Sequence, residues 1–136
     1  MRQIEWDDDF STGVEEIDRQ HKDFVKLINR LNIVQEHGNK KAIAVRLLNE
    51  LGKYVEYHFA SEENIMFLTQ YPALERQQQA HAALLDEYTN RVKTFLNDKG
   101  TIEDVISFLA GWFAKHTVEE DRKIGHHIRT AQHQDS

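Results

Sequence analysis

The chain has 136 residues, 40% hydrophobic and 29% charged, with no cysteine and a formal net charge of -6 at neutral pH. That size and apolar content suit one domain able to bury a core, and the acidic balance, without any run of Lys and Arg, argues against a nucleic-acid or anionic-lipid surface. The absence of cysteine excludes disulfides, thiolate zinc sites and cysteine-ligated iron-sulfur clusters, leaving imidazole, carboxylate and amide donors suited to iron, manganese or zinc.

The opening MRQIEWDDDF lacks the basic start and apolar stretch of a signal peptide, and no apolar run approaches the roughly 20 residues that span a bilayer. A cytoplasmic protein without membrane contact is expected. Residues 1–17 carry Trp6, Phe10, Val14 and Ile17 without helical spacing, interrupted by Gly13, and read as an ordered arm laid over the rest. A first helix over 18–37 opens on Asp18 as its cap, buries a stripe of His21, Phe24, Leu27, Ile28 and Leu31, and ends near Gly38. A second, over 40–68 from a start near Asn39, follows Leu48, Leu51, Val55, His58, Glu62, Ile65 and Met66 in threes and fours until Tyr71 and Pro72 break it. The third, over 73–97, carries Leu74, Gln77, His81, Leu84, Tyr88, Val92 and Phe95 on one face and stops at Asn97-Asp98-Lys99-Gly100. The fourth, over 101–128, opens with Thr101 and Asp104 at capping-box spacing and continues through Val105, Leu109, Trp112 and His116. Beyond Ile128 the tail TAQHQDS is expected to fray. Four amphipathic helices with short connections predict an all-α, antiparallel up-down-up-down four-helix bundle, a single domain over 1–136.

His21, His58, His81 and His116 each fall on the apolar stripe of a different helix, and Glu62 falls on the stripe of His58 one turn later. Imidazole and carboxylate groups moved out of water are costly unless compensated. One buried histidine is usually a hydrogen-bonded core residue, and an isolated His-x-x-x-Glu pair is commonly a solvated ion pair. Four histidines on four helices at similar depth point instead to ligands wrapped around metal. Asp121 follows His116 by five residues, about 140° around a regular helix, so both face inward only if the helix widens into a π-type turn. Spacing alone does not choose Asp121 over Glu119 or Glu120. His37, His126, His127 and His133 fall near helix ends or in the tail and read as solvated.

These residues lie in stretches that resemble the hemerythrins, specifically the short bacterial ones. The matching stretches are W-D-D-D-F near the start, G-V-E-E-I-D-R-Q-H ending at His21, H-F-A-S-E-E-N-I-M from His58, Y-P-A-L-E over 71–75, and W-F-A-K-H-T-V-E-E-D from Trp112 to Asp121. They span most of the chain in family order and spacing. The resemblance implies two non-haem iron ions inside a four-helix bundle, bridged by the carboxylates of Glu62 and Asp121 and by an oxo or hydroxo group. In family terms His21 and His58 hold the iron with the vacant position, while His81 and His116 hold the other. The chain departs from the family at Gln77, where a histidine usually stands one turn before the residue matching His81. There the amide oxygen ligates, holds a bound water, or leaves a gap, and no histidine between 59 and 80 can substitute. An amide oxygen is a weaker, harder donor than imidazole, so lower affinity or an extra exchangeable position is expected at that iron.

The resemblance further implies reversible binding of dioxygen or another small diatomic ligand, for storage, delivery or sensing, with each ferrous ion supplying one electron in a pocket that excludes water. Ile17, Phe24, Phe59, Trp112 and Phe113 are the expected lining, a role compatible with ordinary bundle packing. Thr117 stands where many relatives carry an aliphatic residue and would make that pocket more polar. A second reading is a di-iron redox enzyme, an oxidase, peroxidase or nitric oxide scavenger, favoured by an open position at Gln77. A third is a helical interaction module using zinc or no metal. Ferritin-like di-iron proteins are disfavoured, because they use Glu-x-x-His spacing and more carboxylates than this core offers. No protein partner is legible.

Overall fold

The computed structural model describes residues 5–36 and 41–134. The expected end of the first helix near Gly38, the start of the second near Asn39, and His37 lie outside the described residues, as does the side chain of His133. Helices α1 (Glu15–Glu36), α2 (Lys41–Leu68), α3 (Leu74–Leu96) and α4 (Ile102–His116) are followed by a π turn (Thr117–Asp121) and α5 (Arg122–Gln134). The residues flanking the π turn keep helical dihedrals (φ -63°, ψ -44° at His116; φ -64°, ψ -30° at Arg122), so α4, the turn and α5 form one continuous rod. Packing of α1 on α2, α2 on α3, α3 on α4 and α4 on α1 closes the four-helix bundle that the periodicity predicts.

The ends of the helices show which local signals the chain uses. α1 starts three residues before Asp18, with Glu15, Glu16 and Asp18 complementing the helix dipole. Asp18 therefore does not cap this helix. Its carboxylate instead accepts hydrogen bonds from Ser11 Oγ, Thr12 N and Thr12 Oγ1, each at 2.8 Å, and ties down the arm. α2 spans 28 residues, about 42 Å, and ends in a Schellman arrangement: Tyr71 N donates to Met66 O and Gln70 N to Phe67 O, with Gln70 at φ 56°. α3 ends the same way, Lys99 N donating to Thr94 O and Asp98 N to Phe95 O, so Asp98 (φ 59°) takes the left-handed position rather than Gly100. Thr101 and Asp104 form the reciprocal capping box at the start of α4, both bonds at 3.2 Å.

The last rod continues to Gln134 instead of fraying after Ile128. Two side chains hold it: His127, read above as solvated, is half-buried and donates from Nε2 to Thr69 O at 2.7 Å, and Arg129 donates to Thr12 O at 3.0 Å. The arm also reaches the larger core cluster. Trp6 meets Phe10 edge to face at 5.6 Å, and Phe10 meets Phe113 at 5.3 Å. Gly13 adopts φ +81°, a conformation side chains rarely take, and the Arg129 guanidinium fills the space its Cβ would need.

The core is divided in two. Phe24, Ile28, Leu51, Val55, Phe59, Leu84, Leu109 and Phe113 belong to the larger cluster, and Ile17, Met66, Tyr71 and Ile124 form a smaller one. His21 lies between Ile17 and Phe24 along α1, the pair His58 and Glu62 lies between Val55 and Met66 along α2, and His116 and Asp121 lie between Phe113 and Ile124 along the last rod. A polar layer thus separates two apolar plugs. Among the described residues no helix is long and apolar enough to cross a membrane.

Candidate metal centre

Each helix contributes to that layer from its inward stripe. His21, His58, Glu62, His81, His116 and Asp121 are all buried, with Glu62 and Asp121 at 0% exposure. Asp121 reaches the layer because Thr117–Asp121 is a π turn, which absorbs the extra residue between it and His116. Glu119 is exposed and Glu120 points sideways toward α3, so the turn also resolves which of the three acids enters.

The donor atoms fall into two groups: His21, His58, Glu62 and Asp121, and Glu62, His81 and His116. Glu62 belongs to both groups, and Asp121 of the first also faces His116 of the second. Glu62 turns Oε2 to His58 Nε2 (3.1 Å) and Oε1 to His81 Nε2 (3.3 Å). Asp121 turns Oδ2 to His21 Nε2 (3.1 Å) and Oδ1 to His116 Nε2 (3.0 Å). Despite these short separations Glu62 Oε1 and Oε2, Asp121 Oδ1 and Oδ2, His81 Nε2 and His116 Nε2 have no hydrogen bond of acceptable geometry among the described residues. Lone pairs aimed at shared points rather than at one another are what ligands of a cation present, so the donor set fits two cations bridged by two carboxylates. His21 Nε2 and His58 Nε2 lie 3.1 Å apart, within hydrogen-bond distance. His58 Nδ1 donates to Gln20 Oε1 at 2.7 Å, so its Nε2 carries a lone pair that can accept from His21 Nε2 or bind a cation.

Electrostatics agree with a site short of positive charge. Burial alone would raise the Glu62 carboxyl, yet the imidazoles of His116, His58 and His81 beside it override that and hold it well below the usual carboxylate range. Burial would lower the His116 imidazole, but Asp121 and Glu62 beside it push it up to about 10. Without metal, a proton on His116 takes the place of cation charge, and loading must displace it.

Outer contacts orient the rings. Besides the Gln20 bond to His58, Gln20 Nε2 donates to Ser61 Oγ at 3.0 Å, and His81 Nδ1 donates to Glu63 Oε2 at 2.8 Å. Each bond places the proton on Nδ1 and leaves Nε2 for the centre. His21 has no such acceptor among the described residues, and edge-to-face contacts with His58 (4.7 Å) and Phe113 (5.3 Å) place its ring. Phe59 stacks on His81 at 3.8 Å and Trp112 on His116 at 4.5 Å. Of the expected lining residues, Phe24, Phe59, Phe113 and half-buried Trp112 lie on one side of the layer, and Ile17 lies on the other in the smaller cluster. Thr117 is buried, its hydroxyl without a partner among the described residues. A groove of about 890 Å³ along α2 and α3, bordered by Leu48, Gly52, Leu85, Tyr88 and Val92, includes none of the candidate donors.

Gln77 is buried at 2% exposure on α3, one turn before His81; its Nε2 donates to Glu120 Oε2 at 3.1 Å and its Oε1 has no partner among the described residues. Gln20 and Glu63 were not legible as site residues, and Glu120 was legible only as an alternative to Asp121. Each is next in sequence to an inward-facing donor, and only the packing of a second helix gives it a role.

Two groups of buried nitrogen and oxygen donors sharing two acids inside an antiparallel bundle define a class: a helical protein built to hold a pair of cations. The chain belongs to the hemerythrin HHE cation-binding domain family, whose model matches residues 12–128. It is 28% identical to the bacteriohemerythrin of Pseudomonas aeruginosa over 89% of this chain and 78% of that protein. With the bacteriohemerythrin of Clostridium acetobutylicum it shares 24% identity over 87% of this chain and 95% of the relative. A crystal structure of a hemerythrin point mutant superposes with a TM-score of 0.85 at 26% identity, covering 94% of this chain and 98% of that one.

Proposed function

We propose that the chain binds dioxygen, or another small diatomic ligand, reversibly at two iron ions, held by His21, His58, Glu62, His81, His116 and Asp121 with Gln77 beside the second. The observation that carries this reading is the division of both carboxylates, each offering one oxygen to each histidine pair. Iron, when bound, supplies the electrons and the open position that dioxygen needs. The protein supplies the rest. Phe24, Phe59 and Phe113 on one side of the layer and Ile17, Met66, Tyr71 and Ile124 on the other keep water from the centre, which reversibility requires. Gln20 and Glu63 hold two imidazoles in the tautomer that faces inward. The bacteriohemerythrin name of the relatives supports the same reading.

The test is anaerobic reconstitution with ferrous iron, metal counting, and absorption spectra before oxygen, after oxygen and after its removal. Two irons per chain and a visible band that appears with oxygen and disappears when oxygen is withdrawn are expected. One iron or none would defeat the proposal. A band that decays while consuming reductant would favour the second reading, a di-iron redox enzyme. The Gln77 amide oxygen and the buried Thr117 hydroxyl, both without a partner among the described residues, are the polar features that speak for it.

A further inference from the structure

We propose that Glu120 is a positioning residue, turning the Gln77 amide so that its oxygen faces the second cation site and serves there as a ligand. The proposal rests on the two-cation reading above. The two ends of a glutamine amide are alike in shape, and the terminal torsion has no strong intrinsic preference. Only the oxygen has a lone pair to give a cation; the NH2 end has none. A buried glutamine can therefore act as a ligand only if something chooses which end points inward.

Glu120 makes that choice. Its carboxylate is an acceptor only, so it takes the NH2 end of Gln77, with Nε2 to Oε2 at 3.1 Å. Glu120 is itself clamped: Arg76 donates to the same Oε2 at 3.2 Å, and Lys123 lies 3.8 Å from Oε1. With the nitrogen engaged, Gln77 Oε1 is left buried and unbonded among the described residues, the condition shared by Glu62 Oε1, His81 Nε2 and His116 Nε2 of the second group. Gln77 lies one helical turn before His81 and so shares its face of α3. The π turn serves both functions at once, since successive residues send Asp121 into the layer and Glu120 across to α3.

The experiment is competition for bound cobalt(II) against a chromophoric chelator, with the cobalt absorption spectrum as a readout of coordination, in the wild type and in E120A, E120Q, Q77L, Q77H and Q77H/E120A. E120A is expected to loosen one of the two cations by about tenfold or more, the range seen when a residue orienting a ligand is removed, and to alter the spectrum of that site only. E120Q keeps an acceptor oxygen and should remain near the wild type. In the Q77H background E120A should loosen the site less than in the wild type, because an imidazole has no donor-only end that Glu120 must turn away. Q77L, which removes the amide oxygen and needs no help from Glu120, should loosen the same site even if E120A fails to fold. Tight binding of both cations by E120A or by Q77L overturns the proposal, as does equal loosening by E120A in both backgrounds, which marks a purely structural role. A wild type that retains fewer than two cations overturns the two-cation reading instead.

Discussion

A methyl group at Gly125 tests how firmly the arm seals the centre. A Cβ there would lie 1.7 Å from Thr12 O and 2.8 Å from Thr12 C, both backbone atoms, where ordinary contact begins at 3.4 Å. No rotamer change relieves that clash, so in Gly125→Ala the arm must retreat. The retreat breaks the two bonds from Thr12 to Asp18 and the bond from Arg129 to Thr12 O. At about 1 kcal/mol each these are worth about 3 kcal/mol, and alanine in place of helical glycine returns about 1 kcal/mol. A net loss of about 2 kcal/mol, set against an unfolding entropy of about 2.1 cal/mol/K per residue, lowers the melting temperature of a 136-residue chain by about 7 °C. Retreat also draws Phe10 from Phe113, whose edge contact places the His21 ring, so water reaches the centre. The assays are thermal denaturation of the metal-free chain and the lifetime of the oxygenated, iron-loaded protein, both of which should fall. An unchanged melting temperature and lifetime would refute the argument that Thr12 is locked against α5.

The other expectations concern the layer itself. Glu62→Ala and Asp121→Ala should each lose both metals, because each acid faces both groups, whereas His81→Ala should retain one; metal counts that fall equally in all three would contradict bridging. In the metal-free chain the raised His116, about 10 against an ordinary 6.5, contributes stability fully below pH 6.5 and loses it as pH climbs toward 10. Glu62, held below its ordinary 4.5, contributes above that value and loses its contribution as acid protonates it. Denaturant midpoints in chelator should therefore peak in mildly acidic buffer and decline to either side, and a midpoint that rises from neutral to pH 10 would show the His116 assignment to be wrong. Phe59→Ala should cost about 3–5 kcal/mol in denaturant unfolding, as expected for a buried aromatic, and should weaken retention of the metal at His81, on which the ring stacks at 3.8 Å. A negligible cost would mean that neighbouring side chains close the gap.

The bundle was legible because helical periodicity is a local property. Leu51, Val55, His58 and Glu62 share a face whatever the rest of the chain does, so apolar stripes and the polar residues standing in them can be read off directly. The Thr101–Asp104 capping box was legible for the same reason. What failed depends on partners distant in sequence or on competing local uses of one side chain. Asp18 has the chemistry of a cap, but its oxygens satisfy Ser11 and Thr12 of the preceding arm. His127 has the composition of a tail residue, but Thr69 O at the end of α2 is within its reach.

The π turn lies between these cases. Five residues from His116 to Asp121 do not fit one face of a regular helix, so the sequence poses the mismatch without saying how it is resolved. A regular helix would put Glu119 or Glu120 nearer the face of His116 and keep every backbone bond in the usual register. Widening sacrifices that register, and such bulges are rare and concentrate at functional sites. Here the widened turn does what a regular one cannot: it brings a second carboxylate to face Glu62 across the layer, leaves Glu120 directed at the Gln77 amide, and still allows α5 to continue beneath the arm. Deleting Glu119 should therefore straighten the turn while leaving Asp121 in the layer. It leaves Asp121 four residues after His116, about 40° away on a regular helix, with everything beyond in its present rotation, whereas inserting an alanine after Glu119 rotates everything beyond by about 100° and takes Asp121 from both histidine pairs and Arg129 from Thr12; metal counts should hold in the deletion and fall in the insertion, and the reverse would refute this account of the turn.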